Sequence, residues 1–115
     1  MKPLVRGGVY LARLDPVKGA EVGKLRPVVI LSASDLLDIS PPFLFVAPLS
    51  SRSRPEYSIF HVPIAARGDL RTDSYVLVEH CRTISSNRLC SPLLAQLSSG
   101  EIDLILQRLL RMVGH

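Results

Sequence analysis

Arg26-Pro27-Val28-Val29-Ile30-Leu31 decides the fold, because after the proline it is apolar at every position. A run of that kind is what a strand buried on both faces requires. Upstream, Val9-Tyr10-Leu11-Ala12-Arg13-Leu14 has the length and residue types of a first strand, which Asp15-Pro16 ends with a turn signal. Between the two strands, residues 15–25 turn to Lys, Gly, Glu and Pro without periodicity. A polar loop of about ten residues therefore joins them, and loops of that length usually carry function.

Downstream, Phe43 to Ala47 is again continuously apolar, with Pro41-Pro42 before it and Pro48 after it as expected boundaries. The basic connection Ser50-Ser51-Arg52-Ser53-Arg54-Pro55-Glu56 leads into a fourth expected strand, Tyr57 to Val62, where Tyr57, Ile59 and His61 alternate with Ser58, Phe60 and Val62. A fifth is expected in Ser74 to Ile84, centred on Tyr75-Val76-Leu77-Val78 and ending in Glu79-His80. Leu89 to Leu97 reads as a short strand broken by Pro92.

Ser98 followed three residues later by Glu101 has capping-box spacing, so a helix runs on through Val113 and ends at Gly114. At about 100° per residue, Ile102, Ile105, Leu106, Leu109, Leu110, Met112 and Val113 share one wide arc that should pack on the sheet. Leu104 falls on the polar side. No helix intervenes to support βαβ crossovers, so the expectation is a mainly β chain, a small antiparallel barrel or sandwich with one C-terminal helix. The length suits one domain over residues 1–115.

Composition narrows the class. With 47% hydrophobic and 21% charged residues and a mean hydropathy of +0.27, the chain is no disordered segment, and it carries more apolar surface than a lone monomer needs. A net charge of +4 and a pI near 9.5 suit a nucleic acid, an anionic membrane surface or an acidic protein, and equally suit simple solubility. Cys81 and Cys90 are too few and too far apart for a zinc ribbon. With no apolar export segment after Met1 and no long apolar run, a cytoplasmic chain with reduced thiols is expected.

Polar groups collect at three strand boundaries: Glu21 and Arg26 before the second strand, Ser50 and Ser51 after the third, Glu79 and His80 after the fifth. If these ends converge, a carboxylate, a guanidinium, hydroxyls and an imidazole share one rim beside basic loops. Each has a plainer structural role: Arg26 as a surface ion-pair partner, Glu21 as solvated loop charge, Ser50 and Ser51 as turn formers. Glu79 and His80 can satisfy each other, and His61 reads as a structural residue of its strand. No Ser-His-Asp order, phosphate-binding glycine loop or metal-spaced carboxylate cluster is present. The set suits RNA cleavage, since RNA carries its own nucleophile and a protein need only orient it, move protons and stabilise an anionic phosphorus.

At these residues the chain resembles the MazF/PemK/Kid family of toxin endoribonucleases over essentially its whole length. The resemblance is carried by Arg6-Gly7-Gly8-Val9-Tyr10, Leu14-Asp15-Pro16, Gly19-Ala20-Glu21 and Arg26-Pro27-Val28-Val29. It continues in Val46-Ala47-Pro48-Leu49-Ser50-Ser51, Asp73-Ser74-Tyr75-Val76 and Glu79-His80-Cys81-Arg82-Thr83-Ile84. It implies an SH3-like β-barrel of the MazF/Kid/CcdB type with a C-terminal helix and a homodimer. The implied activity is metal-independent, sequence-specific cutting of single-stranded RNA to 2′,3′-cyclic phosphate and 5′-hydroxyl ends, with no cofactor. It also implies an antitoxin whose acidic tail covers the active rim. The same fold serves a gyrase-poisoning toxin, which is the alternative reading.

Residue by residue, the family's catalytic Arg matches Arg26, its active hydroxyl Ser50, its loop carboxylate Glu21 and its late acid Glu79. Lys18, Lys24, Ser51, Arg52, Arg54 and Arg82 are then the side chains expected on the RNA. An arginine, with a pKa above about 12, is a poor base. Arg26 and Ser50 are therefore expected to hold phosphoryl oxygens and Glu21 to take the 2′-hydroxyl proton. Three residues depart from the family pattern: Gly8 replaces an acid, Ser50 the commoner Thr, and His80 the usual Gln, which places a proton donor for the leaving 5′-oxygen beside the site.

Overall fold

The computed structural model describes residues 4–14 and 24–115; residues 15–23, including Lys18 and Glu21, lie outside the described residues. The apolar run that opened the sequence reading folds as β2 (Leu25–Ile30), antiparallel to β1 (Gly8–Arg13). Val28, Val29 and Ile30 are all fully buried, because alternate side chains leave a strand on opposite faces. Val29 joins one core with Val9 and Ala47, while Val28 and Ile30 join a second with Tyr10, Leu44 and Val46. Burial on both faces is thus what the run specifies.

What covers the second face was not visible in the sequence. Leu37 of a five-residue helix, α1 (Ser34–Asp38), packs there with Leu4 and Leu89. One turn of helix is too short to leave a periodic signature.

β3 (Phe43–Ser50) does not stop at Pro48 as expected but runs through it. One edge of β3 pairs with β2 over Val46–Pro48, and the other edge is shared. β6 (Arg82–Ser85) takes Phe43–Val46, and β5 (Ser74–Leu77) takes Leu49–Ser50. Pro48 falls where the outer partner changes, a position at which a missing N–H breaks no ladder on that side. The resulting strand order is β4-β5-β3-β2-β1-β7, with β6 beside β3.

The fourth strand also differs from expectation. Residues 55–60 form a 3₁₀ turn, with Pro55 in its first turn and the Tyr57 N–H donating to Arg54 O at 3.0 Å, and β4 spans only His61–Ile64. Tyr57 and Ile59, one face of the supposed strand, are each about half exposed. The single segment expected from Ser74 to Ile84 is two strands, β5 and β6, turned by a 3₁₀ corner at Val78–His80. Of the ambiguous stretch 89–97, Leu89 bridges Ala12 and only Ala95–Gln96 form a strand, β7, beside β1.

The helix is realised as α2 (Ser99–Met112), with both halves of the capping box: Ser98 Oγ accepts from the Glu101 N–H at 3.1 Å, and Glu101 Oε1 accepts from the Ser98 N–H at 2.8 Å. Its buried stripe centres on Ile105, flanked by Ile102 and Leu109 as expected, but Leu104 also packs on the core. Leu110, Met112 and Val113 are exposed. The 3₁₀ turns at 55–60 and 78–80, which the sequence did not announce, pack beside both β4 and α2. Arg67 grips Glu101 through two hydrogen bonds of 2.6 and 2.7 Å, fixing the start of α2 to the turn before β5.

Gly8, the first departure, is buried where a Cβ would stand 2.8–2.9 Å from Val5, Leu93 and Tyr10. Those side chains fill the space that an acid would take. Among the described residues, no helix is long and apolar enough to cross a membrane.

Candidate active site

Ser50 ends β3, paired with Tyr75 of β5, and it is the point where two grooves meet. The first, about 560 Å³, is lined by Lys24 and Arg26 at the start of β2, by Ser50 and Ser51, and by Asp69, Arg71, Thr72 and Ser74 from the approach to β5. The second, about 510 Å³, is lined by Ser50, Arg52, Arg54, Tyr57, His61, Leu77, Glu79 and His80. The three strand boundaries named from sequence therefore converge, with Arg26 in one groove, Glu79 and His80 in the other, and Ser50 in both.

The local geometry follows from the chain's turns. Lys24 takes a positive φ of 65°, a conformation uncommon outside glycine, and its carbonyl accepts the Leu14 N–H at 2.9 Å. That bond pins together the two ends of the 15–23 connection. Ser50 Oγ accepts the Arg52 N–H at 3.1 Å, which orients the hydroxyl and leaves its O–H to donate into the grooves. Ser51, Arg52 and Arg54 are exposed along the connection to the 3₁₀ turn. Arg82 lies half-buried on β6 beside Val46 and lines neither groove.

Glu79 and His80 do not pair with each other. Glu79 Oε2 lies 2.7 Å from His61 Nε2, and His61 Nδ1 lies 2.6 Å from Ser53 Oγ. His61 is buried at the head of β4 rather than in mid-strand. The other carboxylate oxygen, Glu79 Oε1, is buried and has no hydrogen-bond partner among the described residues. Burial, with the Glu79 charge nearby, pushes the Cys81 thiol up to about 12, so Cys81 is no nucleophile at neutral pH. Cys81 and Cys90 are both free. No group of three or more His, Cys, Asp or Glu among the described residues is arranged to hold a metal ion.

Sequence reading missed Arg71, Thr72 and Ser74, which bring a guanidinium and two hydroxyls opposite Arg26, and it assigned no site role to Tyr57 or His61. The first group stood in plain view as a charged turn, but nothing local says that this turn folds back against β2.

Residues 5–113 match the family model of PemK-like, MazF-like toxins of type II toxin–antitoxin systems. The chain belongs to this family. An endoribonuclease MazF of Staphylococcus saprophyticus is 41% identical to the toxin over 85 residues, 73% of this chain and 70% of the relative. MazF from Deinococcus radiodurans superposes with a TM-score of 0.82 at 21% identity, covering all of both chains. A MazE–MazF structure from the same organism gives 0.76 at 22%, covering 99% and 98%. These likenesses establish the fold: a mostly β half-barrel sheet closed by a C-terminal helix.

Proposed function

We propose that this toxin, an endoribonuclease of the MazF type, cuts single-stranded RNA at a defined sequence without a metal ion, leaving a 2′,3′-cyclic phosphate and a 5′-hydroxyl. The carrying observation is the position of Ser50 at the junction of the two grooves, between Arg26 on one side and Glu79 with His80 on the other. A strand laid across that junction has its scissile phosphate beside Ser50 and flanking nucleotides in both grooves.

In this scheme the 2′-hydroxyl attacks phosphorus, its proton passes to Glu21, and the P–O5′ bond breaks as His80 supplies a proton to the leaving oxygen. Arg26 and the Ser50 O–H hold the phosphoryl oxygens as negative charge builds in the transition state. Lys18, Lys24, Ser51, Arg52 and Arg54 contact the strand and Glu79 positions it, whereas Arg82, which lines neither groove, takes no part. The active form is a homodimer, held in check by its cognate antitoxin, whose acidic tail competes for the same basic grooves.

Incubation with a defined single-stranded RNA in EDTA tests the activity directly. Cutting at one sequence, with cyclic phosphate and 5′-hydroxyl ends, is expected. Intact RNA together with trapped, cleaved DNA from a gyrase assay would replace this reading with a topoisomerase poison.

A further inference from the structure

Three side chains form a hydrogen-bonded line from the basic connection into the second groove: Ser53 Oγ to His61 Nδ1 at 2.6 Å, then His61 Nε2 to Glu79 Oε2 at 2.7 Å. A carboxylate only accepts, so Nε2 carries the proton and Nδ1 accepts from the Ser53 hydroxyl. This satisfies His61 fully but Glu79 only in part. Glu79 Oε1 remains buried without a partner among the described residues, an arrangement that is costly for a charged group. A buried polar pair of this kind is weak as a stabilising device, since replacing both hydrogen-bond partners by apolar groups of the same shape is often nearly neutral. The His61 side chain is only 5% exposed, whereas Glu79 keeps 21% and lines the groove.

We infer that His61, with its tautomer set by Ser53, is a positioning residue for RNA cleavage: it clamps one oxygen of Glu79 and leaves the other as a vacant acceptor for a donor group of the bound substrate. This role rests on the proposed activity and adds to it two residues, Ser53 and His61, that do not touch the RNA. The half-exposed Tyr57 and the Arg54 side chain line the same groove as Glu79, so a nucleotide seated there lies against the wall to which the Glu79 carboxyl belongs. The line also explains why Glu79 does not turn to its sequence neighbour His80, which is left to act on substrate.

The test is single-turnover cleavage of one RNA, together with its binding as an analogue carrying 2′-deoxyribose at the cut. The proteins are wild type, His61→Phe, His61→Gln, Ser53→Ala, Glu79→Gln and the double variant His61→Phe/Glu79→Gln. His61→Phe should slow cleavage about 10- to 100-fold, the scale of a misplaced group, with binding changed less than about threefold. His61→Gln, whose amide nitrogen stands near the place of Nε2, should restore most of the rate. The double variant should be no slower than Glu79→Gln alone, since groups acting as a unit are not additive.

Wild-type rates in His61→Phe, losses that multiply in the double variant, or a Gln no better than Phe would each overturn the role. Should His61→Phe fail to fold, Ser53→Ala, which keeps the imidazole in place, decides: a slowed rate supports the clamp and a wild-type rate overturns it. Imidazole ¹⁵N shifts in the free protein should show a protonated Nε2, and the opposite tautomer would overturn the assignment. Wild-type protein that cuts no RNA overturns the activity and this role together, whereas normal cutting with a dispensable His61 overturns the role alone.

Discussion

At the scale of single residues, Ser50 carries the heaviest demand. Its oxygen accepts the Arg52 N–H, so in the proposed scheme the hydroxyl hydrogen is the one that donates to a phosphoryl oxygen. Removing one such donor typically lowers a rate by about 10²- to 10³-fold. Ser50→Ala should show a loss of that size in single-turnover cleavage, with little change in melting temperature because Ser50 is only half-buried; Ser50→Thr, the commoner residue of the family, should keep the activity. His80 makes a second prediction. As the proposed donor to the leaving 5′-oxygen, it should matter most where that oxygen leaves poorly: His80→Gln should slow cleavage of a natural RNA by about 10²-fold or more and cleavage of an analogue with a 5′-thio leaving group far less. Equal losses on both substrates would remove His80 from the proton transfer. Arg26, Ser50, Glu79 and His80 were legible because each sits in a motif at a strand end. The Glu79–His61 pair was not, because its partners stand 18 positions apart and meet only when β4 packs beside the 78–80 corner.

At the scale of elements, the start of α2 is the best-tied part of the chain. Glu101 serves the capping box and also takes both arms of Arg67, and the Arg67 hydrogen bonds, with help from the Ser98 N–H, hold its carboxyl at about 2 against an ordinary 4.5. Because the folded value lies below the ordinary one, the contribution is complete above about pH 5 and is lost as pH falls towards 2. The pair is partly exposed, so solvent limits its worth. Glu101→Gln should lower stability at pH 7 by about 1 kcal/mol, within the usual range for a lost cap or paired charge. The difference from wild type should shrink in acid-denaturation curves near pH 3. A constant difference across pH would mean that the charge plays no part. The same helix shows what elements reveal in sequence. Its cap, length and Ile105-centred stripe were readable from local spacing, while the packing of Leu104 on a core drawn from distant strands was not. The continuation of β3 through Pro48 reverses a boundary expectation. A proline is tolerated wherever its missing N–H faces no partner, and only the sheet order reveals where that is.

At the scale of the whole molecule, apolar surface and charge make separate predictions. Leu36, Ile39 and Phe43 are 51%, 73% and 56% exposed around α1 and the start of β3, apolar side chains that a second copy of the chain would cover. Sedimentation at micromolar concentration should therefore give about twice the 12.6 kDa chain mass; a monomer would contradict the proposed dimer. The cations are distributed differently. Lys24, Arg26 and Arg71 line the first groove and Arg52 and Arg54 the second, so a bound strand neutralises its phosphates on both sides of Ser50. Each neutralised phosphate on a single strand contributes about −0.7 to the slope of log affinity against log salt. If Arg52 and Arg54 each meet one phosphate, replacing both with Gln should make the slope shallower by about 1.4, measured on an uncleavable RNA analogue. The Arg26 groove should still be occupied, so residual binding should persist. If the proposed acidic antitoxin tail meets the same cations, its affinity for the double variant should fall in parallel and its competition with RNA should weaken as salt rises. Unchanged slopes for both ligands would show that the second groove binds neither through charge, and would leave Ser50 at the edge of the RNA path rather than at its centre.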